Sequence, residues 1–231
     1  MYTLVETLPV LPLHSASFAM YDVRDHEAYQ KFLTENECTY LSRKNVEKYR
    51  DSLIGRVVAK FAVARCVKET FDVTLNLADI DIRSDGRQPV CTLGRNAQNV
   101  IPPHLSIAHS NGCAIALAVH AEKARGVGVD MEPVRLWKEE TVRGFLVDQE
   151  YARCSENKES FSFYATLYWC LKEAYLKAIG IGLQMHPRDI EVHIDPSDEH
   201  NITLIIHDRI IPAQIAWTQK EGGYIITTII L

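Results

Sequence analysis

The sequence predicts an α+β fold, because a long helix and short apolar strands are indicated in each half of the chain. One helix is indicated at 46–69, where apolar residues recur at helical spacing with charges between them. Another is indicated at 161–179, followed by Gly180, which is suited to a left-handed C-terminal cap. Four β-rich segments come after this helix and alternate well enough to predict an antiparallel sheet.

Composition limits the class of protein. The 231 residues allow one large domain or two small ones, and 47% hydrophobic with 24% charged residues is typical of a globular chain. A formal net charge of -5 argues against a nucleic-acid partner bound through phosphates. No apolar run reaches the ~20 residues needed to span a bilayer, and no secretory leader is evident. We therefore expect a cytoplasmic protein with no membrane partner.

The first half is expected to place a hairpin and a buried strand after its long helix. Turn signals between residues 79 and 95 (Asp-Gly, Gln-Pro and Leu-Gly) predict loops with a brief strand or hairpin. The apolar run 113–119 predicts a buried strand. Polar residues 120–125 follow and mark the candidate boundary, so the predicted domains are 1–120 and 121–231.

The second half opens with a strand at 126–132, with the sequence GVGVDME. Two short helices are predicted before the long one, at 137–145 and 147–154. The four β-rich segments near the C-terminus are 190–194, 202–207, 212–218 and 224–230. No sequence repeat relates the two halves.

Two carboxylates in the strand at 126–132 form the first chemical motif. Asp130 and Glu132 stand two residues apart, so an extended chain projects them from the same face. A pair of oxygen ligands of this kind suits Mg²⁺, which also binds substrate phosphates. Taken alone, the pair is more typical of solvated acids at the end of a strand. The glycines add no dinucleotide site, because the third glycine and the following helix of that fingerprint are missing.

The second motif lies on the helix at 161–179. Trp169, Glu173 and Lys177 fall on one helical face, with Lys172 beside it. An acid flanked by two lysines can complete a metal site while the lysines hold phosphates. The alternative is a solvated Glu-to-Lys pair worth a few tenths of a kcal/mol.

A third motif, AHSNG at 108–112, precedes the buried strand. It differs from the Gly-x-Ser-x-Gly elbow of hydrolases, so Ser110 is a poor candidate nucleophile. His109 has a turn context in which its side chain can meet an anion.

Together these motifs resemble those of the 4′-phosphopantetheinyl transferases. The hallmarks of that superfamily are Gly-(Ile/Val)-Gly-(Ile/Val)-Asp-x-Glu and, further along, Trp-x-x-Lys-Glu-(Ala/Ser)-x-x-Lys. Here they are GVGVDME at 126–132 and WCLKEAYLK at 169–177, which match at every defining position. Weaker similarity at 55–56, 86–89 and 105–110 extends the resemblance over about residues 33–195. The type resembled is the long, surfactin-synthetase-activating one.

This resemblance implies a pseudo-dimer of two similar α/β halves, each a long helix packed on a small antiparallel sheet. It implies that coenzyme A and Mg²⁺ bind in a cleft between the halves, with most of the metal site in the C-terminal one. The implied reaction transfers the phosphopantetheine arm of coenzyme A to a serine of an apo-acyl, peptidyl or aryl carrier protein and releases 3′,5′-ADP. Such carriers serve fatty-acid, polyketide or non-ribosomal peptide synthesis, and a monomer is expected.

The resemblance also implies roles for individual residues. By position, the metal ligands are Asp130, Glu132 and Glu173, the coenzyme A phosphate contacts are His109 and Ser110, and the diphosphate contacts are Lys172 and Lys177. Glu173 is the candidate base, acting directly or through a metal-bound water. Lys172 is the candidate that neutralises or protonates the departing phosphate.

One departure from the superfamily concerns the 3′-phosphate of coenzyme A. A basic residue usual before the first long helix has no counterpart near Thr39. We therefore expect Arg87 and Arg50 to contact this phosphate in preference to Arg43 or Lys44. The alternative for each arginine is an ordinary solvated side chain.

Two other functions remain open from the sequence. One is a non-catalytic module that binds coenzyme A or a carrier protein. The other is a Mg²⁺-dependent hydrolase of diphosphates, in which water replaces the serine.

Overall fold

The structure is a computed structural model that describes residues 16–22, 27–84, 88–220 and 222–231. The chain forms two compact units that divide between Val127 and Gly128. This division lies just beyond the polar segment 120–125. The domain limits 1–120 and 121–231 stay a prediction.

The first unit contains a three-stranded antiparallel sheet covered by a long helix. The sheet has the order β1-β5-β4, and α2 packs against all three strands. A second pair, β2 and β3, is also antiparallel. The elements are β1 (Ala16–Asp22), α1 (Glu35–Leu41), α2 (Val46–Phe71), β2 (Ile80–Ser84), β3 (Pro89–Leu93), β4 (His104–Ser110) and β5 (Cys113–Val119).

The second unit also packs a long helix on a three-stranded sheet. The sheet has the order β10-β11-β6, and α5 packs on its central strand β11. A separate sheet has the order β7-β8-β9. The elements are β6 (Val127–Pro133), α3 (Glu139–Phe145), α4 (Asp148–Ser155), α5 (Phe161–Ala178), β7 (Glu191–Asp195), β8 (Asp198–Ile206), β9 (Arg209–Ile211), β10 (Gln214–Lys220) and β11 (Tyr224–Ile230).

The two units share one order of elements. Each begins with a strand, followed by short helices and then the long helix. A separate small sheet comes next, β2-β3 in the first unit and β7-β8-β9 in the second, and each unit ends with two antiparallel strands. In the sheets β1-β5-β4 and β10-β11-β6 the last strand of the unit lies at the centre, with the unit's first and penultimate strands on either side. This common topology supports two similar halves, although how they are arranged as a pseudo-dimer stays a prediction.

The ends of the long helices follow from local hydrogen bonding. At the start of α2 the side chain of Asn45 accepts a hydrogen bond from the backbone N–H of Lys48 at 3.0 Å. The helix ends at Asp72, which adopts a left-handed conformation with φ 57°. After α5, Gly180 has φ 72°, so the predicted left-handed residue is confirmed.

Several predicted elements are confirmed, and one prediction about the sheets is wrong. The helices at 46–69 and 161–179 and the strands at 113–119 and 224–230 all form. The four C-terminal segments, however, belong to two different sheets instead of one. Within the part of the chain described, no helix has the length and apolar character to cross a membrane.

Candidate active site

Strand β6 crosses helix α5 at a glycine. A Cβ built on Gly128 would lie 1.7 Å from the carbonyl oxygen of Ala174 and 2.9 Å from the backbone nitrogen of Ala178. The strand and helix backbones can therefore approach this closely only because residue 128 has no side chain. Two residues further along the strand, Asp130 forms an ion pair with Lys177 of the same helix.

The carboxylate of Asp130 is buried but only half satisfied. Its Oδ1 lies 2.7 Å from Nζ of Lys177, which also donates to the carbonyl oxygen of Val129 at 3.1 Å. Its Oδ2 is buried and has no hydrogen-bond partner among the described residues. A buried carboxylate oxygen without a partner is costly, so the site fits a ligand that supplies positive charge.

Glu173 lies in the same electrostatic neighbourhood. Burial raises the pKa of its carboxyl, and the negative charges of Asp130 and Glu132 raise this pKa further. The positive charge of Lys177 acts in the opposite direction. The buried thiol of Cys170 has its pKa raised well above the usual range by burial and then by the same two acids. Asp130 and Glu132 therefore raise the pKa of two common neighbours, Cys170 and the third predicted ligand, Glu173.

The carboxylates do not already form a metal cage. Across the described residues, no group of three or more His, Cys, Asp or Glu side chains is arranged to hold one metal ion. The assignment of Asp130, Glu132 and Glu173 as ligands stays a prediction. It is supported by the unpaired Oδ2 and the mutual repulsion, which a cation would relieve.

Lys172 has a different environment from the one predicted. Its side chain is fully buried, and Nζ lies 2.6 Å from Oε2 of Glu150. Nζ also donates to the carbonyl oxygens of Phe145 at 2.9 Å and Pro187 at 3.1 Å. Because an ammonium group has three donors, these contacts satisfy it completely. The structure thus argues against the predicted contact of Lys172 with the diphosphate and against its role as a proton donor.

In the first unit, His109 lines a cavity of about 250 Å³ near the end of β4. The cavity is also lined by Tyr40, Ser52, Arg56 and Arg83. A hydrogen bond from Lys44 lowers the pKa of the Tyr40 phenol against the effect of burial, and the charges of Lys44 and Arg56 add to this. Positive charge from Lys44 and Arg56 therefore acts at Tyr40, and the acidic Asp51 also lines the cavity.

Arg56 is a candidate binding residue that the sequence prediction missed. The residue is only 9% exposed, and its guanidinium packs 4.5 Å from the centroid of the Tyr40 ring. Nη1 donates to the carbonyl oxygen of Ser52 at 3.0 Å, whereas the buried Nε has no partner among the described residues. A guanidinium with one unsatisfied N–H group in a cavity wall fits a phosphate. The signal in the sequence was its place in the weakly matching pair 55–56.

The other predicted phosphate contacts have different surroundings. The guanidinium of Arg50 lies at the β4–β5 turn, where a Cβ on Gly112 would be 3.3 Å from Nη2. Neither Arg50 nor Ser110 is among the described residues that line the cavity, and Ser110 pairs with Cys113 across the turn. Arg87 lies outside the described residues. The roles of these three residues stay predictions.

Comparison with known proteins gives a superfamily match over the C-terminal part of the chain. Residues 126–229 match the sequence model of the 4′-phosphopantetheinyl transferase superfamily. This segment contains both carboxylate motifs and Lys177. The match supports a phosphopantetheinyl transferase. No curated protein sequence matches the chain.

Solved structures with some similarity include three holo-[acyl-carrier-protein] synthases. The Thermotoga maritima structure is 22% identical with a TM-score of 0.39, and the similarity covers 46% of this chain and 62% of that one. A Bacillus anthracis structure in complex with CoA (3′,5′-ADP) is 20% identical with a TM-score of 0.39, covering 46% and 94%. A Helicobacter pylori structure in complex with coenzyme A is 18% identical with a TM-score of 0.37, covering 45% and 97%.

Proposed function

We propose that this chain is a Mg²⁺-dependent 4′-phosphopantetheinyl transferase of the long, surfactin-synthetase-activating type. It transfers the phosphopantetheine arm of coenzyme A to a serine of an apo-acyl or peptidyl carrier protein and releases 3′,5′-ADP. The proposal includes a monomeric state and a cytoplasmic location.

One observation carries this proposal. The segment that matches the superfamily contains a buried carboxylate, Asp130, with an unpaired oxygen, and a second carboxylate, Glu173, with a raised pKa. The ion pair with Lys177 satisfies Asp130 only in part, because it leaves Oδ2 without a hydrogen-bond partner among the described residues. A partly satisfied buried carboxylate and an acid of raised pKa, on a strand and helix in direct contact, are typical of a catalytic site.

The donor set fits a hard divalent cation. Asp130, Glu132 and Glu173 would hold Mg²⁺ through carboxylate oxygens, the ligand type that this ion prefers. When bound, Mg²⁺ supplies positive charge to the diphosphate, on which negative charge shifts as the phosphoryl group transfers.

The residues of the chain then perform the proton transfer and the charge stabilisation. Glu173 accepts the proton of the carrier serine as a general base. The serine oxygen bonds to the β-phosphorus of coenzyme A, and the bond from that phosphorus to the bridging oxygen of 3′,5′-ADP breaks. Lys177, whose side chain is 28% exposed, neutralises the departing phosphate in place of Lys172.

The first unit contributes phosphate binding in this proposal. Arg56 has a buried donor without a partner and His109 lines the same cavity, so both suit a phosphate of coenzyme A. We assign them to the 3′-phosphate.

Transfer is tested by incubating the protein with coenzyme A, Mg²⁺ and an apo-carrier protein, followed by mass spectrometry of the carrier. We expect the mass of one phosphopantetheine group on the carrier serine and an equal amount of 3′,5′-ADP. Cleavage of coenzyme A without a gain on the carrier would instead indicate a diphosphate hydrolase. Binding without cleavage would indicate a non-catalytic module.

A further inference from the structure

Each long helix contains one fully buried lysine that is paired with a buried glutamate. In α5 this is Lys172, which contacts Glu150 at the start of α4. In α2 it is Lys60, whose Nζ lies 2.6 Å from Oε2 of Glu37 in α1. Both lysine side chains are 0% exposed. Charges this deeply buried persist only when their partners are held in place.

Three contacts of each lysine correspond, and Lys60 also donates to the carbonyl oxygen of Ile80 at 2.5 Å. Lys60 donates to the carbonyl oxygen of Phe32, and Lys172 donates to that of Phe145. Each phenylalanine precedes its glutamate, Glu37 or Glu150, by the same number of residues. A second carbonyl comes from the segment after each long helix, Leu77 for Lys60 and Pro187 for Lys172.

The two glutamates also make equivalent hydrogen bonds. Oε2 of Glu37 accepts from the N–H of Thr34 at 2.8 Å, and Oε2 of Glu150 accepts from that of Val147 at 2.9 Å. Their Oε1 atoms accept from the following strands, from Ile82 at 2.9 Å and from Val192 at 2.8 Å. We call these two sets, each a lysine, its glutamate and their backbone partners, the Lys60 bracket and the Lys172 bracket.

The Lys60 bracket holds the wall of the phosphate cavity. Arg56 lies one helical turn before Lys60 on α2, so both are on the same face. Tyr40, which packs on Arg56, lies one turn after Glu37 on α1. Ile82 lines the cavity and is bound to Glu37 through its N–H. The bracket therefore fixes the helix, the neighbouring helix and the strand around Arg56.

The Lys172 bracket holds the helix beside Glu173. Lys172 ties α5 to the end of α3 and to the segment before β7. On the other side of Glu173, the carbonyl of Ala174 lies against Gly128 of β6. Glu173 thus lies between two fixed points of α5.

We propose that the brackets are positioning devices with separate tasks, in which the Lys60 bracket shapes the cavity for the donor phosphate and the Lys172 bracket orients Glu173. This inference rests on the proposed transferase function. Neither lysine contacts a substrate, and each acts through another residue. The same buried arrangement thus supports substrate binding in one unit and chemistry in the other.

The test compares two matched double variants, Lys60→Met/Glu37→Gln and Lys172→Met/Glu150→Gln. Each removes both charges of one bracket, which avoids leaving an unpaired buried ion. Melting temperatures and circular dichroism establish the range in which both are folded, and kinetics are measured there with saturating carrier. The variants Glu37→Asp and Glu150→Asp, which shorten the acid but keep both charges, take their place if a double variant does not fold.

We expect the Lys60-bracket variant to raise KM for coenzyme A and weaken 3′,5′-ADP binding roughly 10- to 100-fold, with kcat near that of the wild type. We expect the Lys172-bracket variant to lower kcat by a similar factor, with 3′,5′-ADP binding unchanged. If the brackets were purely structural, KM for coenzyme A and kcat would change together in both variants, and that result would overturn the inference. Wild-type protein without transferase activity would overturn the proposed function, whereas an active wild type without this separation would overturn the inference alone.

Discussion

Arg56 carries a buried donor, Nε, that lacks a partner among the described residues and belongs to a cavity wall. Leaving such a donor unsatisfied is costly, and a phosphate oxygen would remove the cost. We predict that Arg56→Ala raises KM for coenzyme A roughly 10- to 100-fold, the loss expected for one or two charge-assisted hydrogen bonds. With 3′-dephospho-coenzyme A as donor, KM should barely change.

Arg50→Ala is the rival variant in this comparison, because Arg50 lies on the same helix at the β4–β5 turn and is not among the cavity-lining residues. It should retain the wild-type preference between the two donors. If Arg56→Ala raises KM equally for coenzyme A and 3′-dephospho-coenzyme A, Arg56 does not contact the 3′-phosphate. If only Arg50→Ala loses the preference for coenzyme A over 3′-dephospho-coenzyme A, Arg50 contacts the 3′-phosphate, as predicted from the sequence.

Lys172 shows why residue roles could be predicted only in part. Helical spacing correctly places Lys177 and Glu173 on the face of α5 near Asp130. Spacing also places Lys172 beside that face, but it does not reveal the three acceptors that surround its ammonium group. Those acceptors come from Phe145, Glu150 and Pro187, on segments whose positions depend on tertiary packing.

The contact between β6 and α5 depends on Gly128. We predict that Gly128→Ala separates the two elements, because its Cβ would lie 1.7 Å from the carbonyl oxygen of Ala174. Forcing an atom into such a contact costs about 1–3 kcal/mol or more in the free energy of unfolding. The variant should also lose transferase activity, since Asp130 and Glu173 lie on the displaced elements.

Gly144 in α3 is the control for this substitution. No heavy atom lies within 4 Å of a Cβ built on Gly144, so Gly144→Ala should be neutral or slightly stabilising. Thermal unfolding of both variants gives the comparison. If Gly128→Ala melts like the wild type and stays active, the backbones are not in the contact described.

Elements with a strong hydrophobic period were predictable, whereas several polar or short ones, including the three-residue strand β9, were not. The strand β5 is an uninterrupted apolar run and was predicted with its observed limits. The strand β4 contains the polar residues His104, Ser106 and His109, so it has no uninterrupted apolar run. The helix α1 has seven residues, too few to show a period, and the buried Glu37 secures it through Lys60. The strand β1 also escaped prediction.

At the scale of the whole molecule, the two units have the same topology without a recognisable sequence repeat. Topology depends on the order of helices and strands and on which of their faces are apolar. Many different sequences meet these two requirements, so two units can share a topology without a sequence repeat. What the units do share at residue level is the buried lysine and glutamate of each bracket. Their separations along the chain are similar, yet they become visible only when the hydrogen bonds are known.

The central claim is that the carboxylates of the second unit carry out phosphopantetheine transfer. Its most direct test is the kcat of Asp130→Asn and Glu173→Gln with coenzyme A, Mg²⁺ and an apo-carrier, beside the control Glu139→Gln on the exposed start of α3. We predict a loss of about 10²- to 10⁴-fold for the first two, with folding and 3′,5′-ADP binding retained. Glu132→Ala should lose less, because water can replace one ligand of hydrated Mg²⁺. Near-normal transfer by folded Asp130→Asn or Glu173→Gln at saturating Mg²⁺ would contradict the account.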